Sequence, residues 1–190
     1  MIDLEAIVSR YKPHLDANNM HIYASQPHED FLLLKWWMKL QETGDIERLI
    51  IPESRPLKSF FKVYAQPTVL IYAYNDGEIT QAMWASPADQ TAQHHVAYTG
   101  VWCVESQRGT MKQLNFTATA YSLIFEFYHA FLGITWQQDL LDVHIKLGYD
   151  IVGCVPNLHD QPFCYLVHLT REKFLNSRLY KTYQRTLERR

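Results

Sequence analysis

Residues 68–85, TVLIYAYNDGEITQAMWA, limit the fold more than any other stretch of the chain. Two runs rich in β-branched and aromatic residues flank Asn75-Asp76-Gly77. Asn, Asp and Gly tolerate positive φ, so this tripeptide turns a hairpin with strands over 68–74 and 78–85. Residues 94–105, HHVAYTGVWCVE, read as a third strand. Consecutive strands joined by short turns are expected to pair as an antiparallel meander, which excludes an all-helical fold.

Around this block the hydrophobic period becomes helical. Residues 3–11 suit a short helix that ends before Pro13, and 20–24 suit a first strand. Residues 30–42 form a helix apolar on most sides, with acidic Glu29 and Asp30 at its start and Gly44 after its end. A further helical piece is expected over 57–64. A polar loop occupies 106–113, and a long helix over 114–132 is closed by Gly133. A short strand at 134–136 precedes an amphipathic helix over 139–147, closed by Gly148. Strands over 149–155 and 163–169 complete the order. Helices interleave with strands while neighbouring strands form hairpins. The fold class is therefore α/β in the α+β sense: a mixed, mostly antiparallel sheet flanked by helices, parallel only near Ile134. A domain over 1–175 with a helical tail over 176–190 suits the 190-residue length.

Hydrophobic residues make up 47% of the chain and charged residues 20%, a balance that supports a core and argues against wholesale disorder. The formal charge of −2 carries no nucleic-acid signature. Cys103, Cys154 and Cys164 are odd in number and lack a CxxC spacing, which argues against a disulfide scaffold or a zinc ribbon. Cys103 and Cys154 lie in apolar strands and read as small buried hydrophobes. His94 and His95 are adjacent on a strand and point to opposite faces, so no metal site is expected. Trp36 and Trp37 read as core. The opening MIDLEAIVSRYK lacks the basic start and apolar run of a signal peptide, and no run of about 18 apolar residues marks a membrane span. A reducing cytoplasm is the expected compartment.

The segment Lys146-Leu-Gly-Tyr-Asp-Ile-Val-Gly153 resembles the K-L-G-F-x-x-x-G segment of the GNAT N-acetyltransferase superfamily, and the element order is that family's order. The resemblance is clearest over about 66–170. It implies acetyl-CoA as cosubstrate, with the pyrophosphate on the turn that enters the helix after 113. The family's turn reads Q/R-x-x-G-x-G/A; here it is Arg108-Gly109-Thr110-Met111-Lys112-Gln113. Arg108 matches the first position, whereas Met111 and Gln113 stand where the family has glycines. The resemblance makes these six residues, with Cys103 and Val104 at the end of the preceding strand, the cofactor-binding set. A helix start offers unpaired N–H groups and a positive dipole end to a phosphate.

The resemblance also places His144 where the family carries a tyrosine that protonates the departing thiolate. An imidazole can supply that proton, or His144 can simply occupy a helix face. Glu105 ends the strand that holds the family's base. Burial there would raise its pKa enough to accept a proton from an ammonium; the alternative is a solvated charge at a strand end. Two functions stay open. One is an acyl-CoA-dependent N-acyltransferase acting on an amine held by residues 43–65 and 156–162. The other is a GNAT-like domain without catalysis that serves as an interaction or assembly module.

The last twenty residues carry seven basic side chains (Arg171, Lys173, Arg178, Lys181, Arg185, Arg189, Arg190) against Glu172 and Glu188, a local charge of +5. Residues 176–190 suit a helix capped by Asn176 or Ser177, with an apolar stripe of Leu179, Tyr180, Tyr183 and Leu187. That stripe either packs on its own domain or docks on another copy or a protein partner, while the basic side meets an acidic surface.

Overall fold

The computed structural model describes residues 4–24, 26–65, 69–88, 96–159 and 161–188. Helix α1 (Leu4–Ala17) leads into strand β1 (Met20–Ile22), then α2 (Pro27–Thr43), α3 (Asp45–Leu49) and α4 (Leu57–Ala65). The hairpin is β2 (Val69–Asn75) and β3 (Glu78–Pro87), followed by β4 (Val96–Cys103). Helix α5 (Met111–Ile124), β5 (Ala130–Thr135), α6 (Gln138–Leu147), β6 (Asp150–Leu158) and β7 (Gln161–Thr170) come next, and α7 (Arg171–Asn176) and α8 (Arg178–Leu187) end the order. The strands form one sheet in the order β1-β2-β3-β4-β5-β7-β6. Pairings β1–β2, β2–β3, β5–β7 and β6–β7 are antiparallel. Strand β4 lies parallel to β5, with Val96 opposite Ala130 and Tyr98 opposite Leu132. The bonds Ala88 N–H to Val96 O and Val104 N–H to Thr80 O mark β3 and β4 as antiparallel neighbours. At the hairpin tip Asp76 (φ 51°) and Gly77 (φ 75°) are both left-handed, the geometry that matches the twist of a two-residue hairpin loop.

Two compact units can be distinguished. The first comprises Met1–Ser86 and Gly100–Glu126, the second Pro87–Thr99 and Phe127–Arg190. In the first, α2 contributes Leu32, Leu33, Trp36 and Leu40 to a buried cluster with Phe60, Tyr64, Leu70, Trp84 and Trp102. Trp36 is its centre, with ring centroids 5.3 Å from Phe60, 5.5 Å from Tyr64 and 5.9 Å from both Trp84 and Trp102. Such aromatic contacts add directional preference to the burial of large apolar surfaces. Glu29 in the first turn of α2 is buried, and its carboxylate accepts from Tyr72 OH and from the N–H groups of Ala24 and Gln26. In the second unit Phe131, Val167, Leu169, Cys164 and Phe174 are buried. Ser177 caps α8 by accepting from Tyr180 N–H, and Tyr183 of that helix is buried. Leu179 and Tyr180 are half-buried, so most of the apolar stripe is covered within its own unit. Arg178, Lys181 and Arg185 remain exposed.

Several expectations need correction. The first helix passes through Pro13 to Ala17 and buries Leu15, so the lost N–H and the crowding of the ring against the previous turn do not end it. The expected long helix over 114–132 starts at Met111 and ends at Ile124, where Phe125 and Glu126 N–H groups turn back onto Tyr121 and Leu123. An uninterrupted apolar run hides this break, because it has no period to distinguish helix from strand. Gly133 therefore lies inside β5, where Phe131, Gly133 and Thr135 alternate as buried positions. Cys154 is exposed, since β6 ends the strand order and shows much of its surface. The helix expected over 176–190 is α8, capped by Ser177 as expected, and the short α7 precedes it. His94 and His95 lie outside the described residues.

Candidate functional site

In the first unit β4 ends at Cys103, and a single 3-10 turn over Glu105–Gln107 carries the chain to Arg108. Gly109 takes φ +74°, with open space where a Cβ would sit. Thr110 then caps α5 by accepting from Gln113 N–H at 3.3 Å. The N–H groups of Arg108 and Thr110 bond to the carbonyls of Glu105 and Gln107 at 3.0 and 3.1 Å. Gly109 N–H donates to the side-chain oxygen Oε1 of Gln113 at 2.6 Å. Four of the six amides from 108 to 113 are thus engaged internally. Met111 and Lys112 N–H, in the first turn of α5, have no partner among the described residues, as helix geometry requires. Met111 is 48% exposed, so its side chain does not fill the turn.

Arg108 is not a free cation. Its Nη2 lies 3.2 and 3.4 Å from the two carboxylate oxygens of Asp45, which is buried at 5% exposure. Trp102 Nε1–H donates to the same carboxylate at 3.0 Å. Asp45 opens α3 directly after Gly44, whose left-handed φ of 72° ends α2. Burial pushes the Cys103 thiol up, against an opposing interaction with the Arg108 guanidinium. Val104 packs against the aromatic cluster, and its N–H bonds Thr80 O. Glu105 lies past the end of β4 in the 3-10 turn and is exposed, so the burial expected to tune its carboxyl is absent. Gln107 holds its side-chain oxygen buried without a partner among the described residues.

In the second unit His144 faces β5. Its Nδ1 lies 2.7 Å from Leu140 O. A carbonyl only accepts, so Nδ1 carries the proton and Nε2 holds the lone pair. A Cβ on Gly133 would come within 3.3 Å of that Nε2, which makes the glycine the clearance for the ring. Tyr149 packs edge-on against the imidazole at 4.9 Å, and its hydroxyl is 2.8 Å from Thr99 Oγ1. Burial lowers the His144 pKa below 6.5, opposed by the Leu140 carbonyl. At neutral pH the ring is uncharged and Nε2 accepts a proton. Donation from Nε2 requires prior protonation.

The structure sets residues 108–113 at the entry to α5 and His144 on α6, beside Asp45, Trp102, Gly133 and the Tyr149–Thr99 pair, which sequence reading did not name for the site. Only Gly44-Asp45 left a trace, as a helix stop followed by an acidic helix start. A surface groove in the first unit, lined in part by Lys35, Trp36, Glu42 and Glu78, contains none of the predicted site residues.

No protein-family model matches the chain, nor does any curated protein. Solved structures do. RimJ of Mycobacterium smegmatis, in complex with CoA-disulfide, superposes with a TM-score of 0.64 at 14% identity, covering 88% of this chain and 89% of that one. AAC(6')-Ib with ribostamycin and coenzyme A gives 0.60 at 16% identity over 84% and 98% of the two chains. The ribosomal-protein-S5-alanine acetyltransferase of Vibrio fischeri gives 0.60 at 9% identity over 82% and 95%. The chain has the GNAT fold, in agreement with the strand order and the parallel β4–β5 pair.

Proposed function

We propose that the chain is an acyl-CoA-dependent N-acyltransferase that moves an acetyl group to an amine acceptor. The observation that carries this reading is the junction into α5. There the amides of Met111 and Lys112 are open, with the cations of Lys112 and the half-exposed Arg108 in the same loop. Open first-turn amides, the positive end of a 14-residue helix and two cations suit a pyrophosphate. The exposed flank of Met111 and the open space over Gly109 leave room for it. Gln113 is the one misfit. Its carboxamide sits on Gly109 N–H, and because the arm is flexible it can exchange for a phosphate oxygen.

Acetyl-CoA supplies the acyl group already activated as a thioester. In this reading Arg108, Gly109, Thr110, Met111, Lys112 and Gln113 hold its anionic part, with Cys103 and Val104 at the strand end before them. As the thioester C–S bond breaks and the amine nitrogen bonds the acyl carbon, the amine gives up a proton to solvent; Nε2 of His144, having taken a proton from solvent, passes it to the departing CoA thiolate, with Nδ1–H bonded to Leu140 O throughout. Glu105, being exposed, acts on the amine only through solvent. The second reading, a GNAT-like interaction module without catalysis, draws on a different observation: the loop is closed on itself through Gln113 and Asp45. Its contact would use the exposed basic side of α8.

Calorimetry and melting with acetyl-CoA separate the two. Ligand at 100 times its Kd adds about 2.7 kcal/mol to stability. Arg108→Ala is expected to weaken binding by roughly 1–3 kcal/mol, the scale of a charge-assisted hydrogen bond. Gln113→Ala removes the competing acceptor and is expected to tighten binding by about 1 kcal/mol. No heat and no melting shift in either the wild type or Gln113→Ala would decide for the interaction module.

A further inference from the structure

We infer that Asp45 is a positioning residue, which fixes the Arg108 guanidinium as a preorganised cation at the anion loop. The inference rests on the acyltransferase reading and extends it to a residue outside the loop. The geometry is specific. Asp45 is 5% exposed, yet it is a carboxylate, and a buried charge persists only when paired and hydrogen-bonded. Its partners are Trp102 Nε1–H at 3.0 Å and Arg108 Nη2 at 3.2 Å, with Arg48 at a longer 3.6 Å. Trp102 belongs to the packed aromatic cluster, so the carboxylate is held from a rigid side. Arg108 is the exposed member: its side chain is 43% exposed. Nη2 is anchored on Asp45, the guanidinium also interacts with the Cys103 thiol, and the exposed part of the planar fork is what a ligand can reach.

An unanchored arginine must lose rotamer freedom when it binds an anion, and one already held by Asp45 has lost it beforehand. The carboxylate also opposes the incoming anion through its own charge. The two effects separate by substitution. Asp45→Asn keeps an acceptor oxygen for Trp102 and Arg108 and removes the charge, whereas Asp45→Ala removes both. Asp45 also lies in the segment 43–65 that the family resemblance assigns to the acceptor, so the pair joins that segment to the loop.

The test is a double-mutant cycle read by calorimetry, with coenzyme A and with inorganic pyrophosphate as probes. In the Arg108 background, Asp45→Ala is expected to weaken both probes about 3- to 10-fold, the entropy of one long side chain. Asp45→Asn is expected to stay within about twofold, because repulsion lost offsets part of the order lost. In the Arg108→Ala background neither substitution is expected to matter. Equal weakening in both backgrounds would make Asp45 merely structural and overturn the inference, as would an Asp45→Ala protein that binds like the wild type. If Asp45→Ala does not fold, Arg108→Lys asks the same question, since lysine keeps the charge without the fork. Weakening of about 3-fold or more supports positioning and wild-type affinity overturns it. A wild type that binds pyrophosphate but not coenzyme A sinks the acyltransferase reading alone, with the cycle then read on pyrophosphate. A wild type that binds neither sinks both.

Discussion

In the first unit a strand glycine makes room for an indole, and in the second a strand glycine makes room for an imidazole. A Cβ on Gly100 would sit 2.0 Å from Cζ2 of Trp84 and under 3.0 Å from two more atoms of that ring. A Cβ on Gly133 would meet Val167 Cγ2 at 2.9 Å and His144 Nε2 at 3.3 Å. Trp84 is locked among Trp36 and Tyr64, so nothing there yields. The Val167 methyl is a side-chain end, and His144 is tethered by one hydrogen bond within its own helix. Charge follows the same division. The first unit buries a carboxylate against a guanidinium and an indole, whereas the second holds a half-buried imidazole on a carbonyl and against the Tyr149 ring, and burial favours its neutral form. Tight aromatic packing goes with a paired carboxylate, and looser packing with an imidazole whose pKa burial lowers.

Gly100→Ala probes the tightest point and has the largest expected effect, about 3 kcal/mol of destabilisation, at the upper end for overpacking. Denaturant unfolding checks it. A loss below about 1 kcal/mol would show that the aromatic cluster shifts as easily as a single side chain, and the contrast between units would fail.

Removing residues 178–190 comes next. The deletion takes away buried Tyr183 and uncovers Phe174, whose ring packs 5.0 Å from Tyr180. The truncated chain is expected to fold with about 2 kcal/mol less stability, the scale of one large apolar side chain exposed. An unchanged melting curve would show α8 to be a free attachment rather than part of the second unit. Light scattering on the same samples then reads whether mass depends on the exposed basic side.

The smallest effect depends on pH. Burial lowers the His144 pKa below 6.5, so the unfolded chain takes up a proton that the native state refuses. Stability from this group is fully present above the unfolded value and is lost as pH falls below it. His144→Gln is expected to flatten the dependence of the urea midpoint between about pH 5 and 7. Burial also lowers the His21 pKa in the first unit, which gives a slope of the same sign; the difference between wild type and variant is therefore the measure. Identical slopes would mean that the second unit imposes no penalty on a charged His144.

Much of the architecture was legible because it depends on local chemistry. Asn75-Asp76-Gly77 turns the hairpin in any context that tolerates positive φ, and Gly148 ends α6 at φ 100° for the same reason. The basic loop, the helix start at residues 110–113 and His144 could be named from spacing and resemblance. The end of α5 was not legible, because an apolar run is compatible with a helix and with a buried strand. Exposure of Cys154 was not legible either, since strand sequence does not say which strand lies at the edge of a sheet.

The chain by itself determined most of the order of elements and the turn residues. Those depend on φ preferences and on patterns a few residues long. Only the tertiary structure decided that Gln113 would close onto Gly109, that Asp45 would claim Arg108 across 63 positions, and that Gly133 would give His144 its place. Pairings at long separation depend on which surfaces the packed aromatic and aliphatic side chains bring together, and that sum is not written in any local segment.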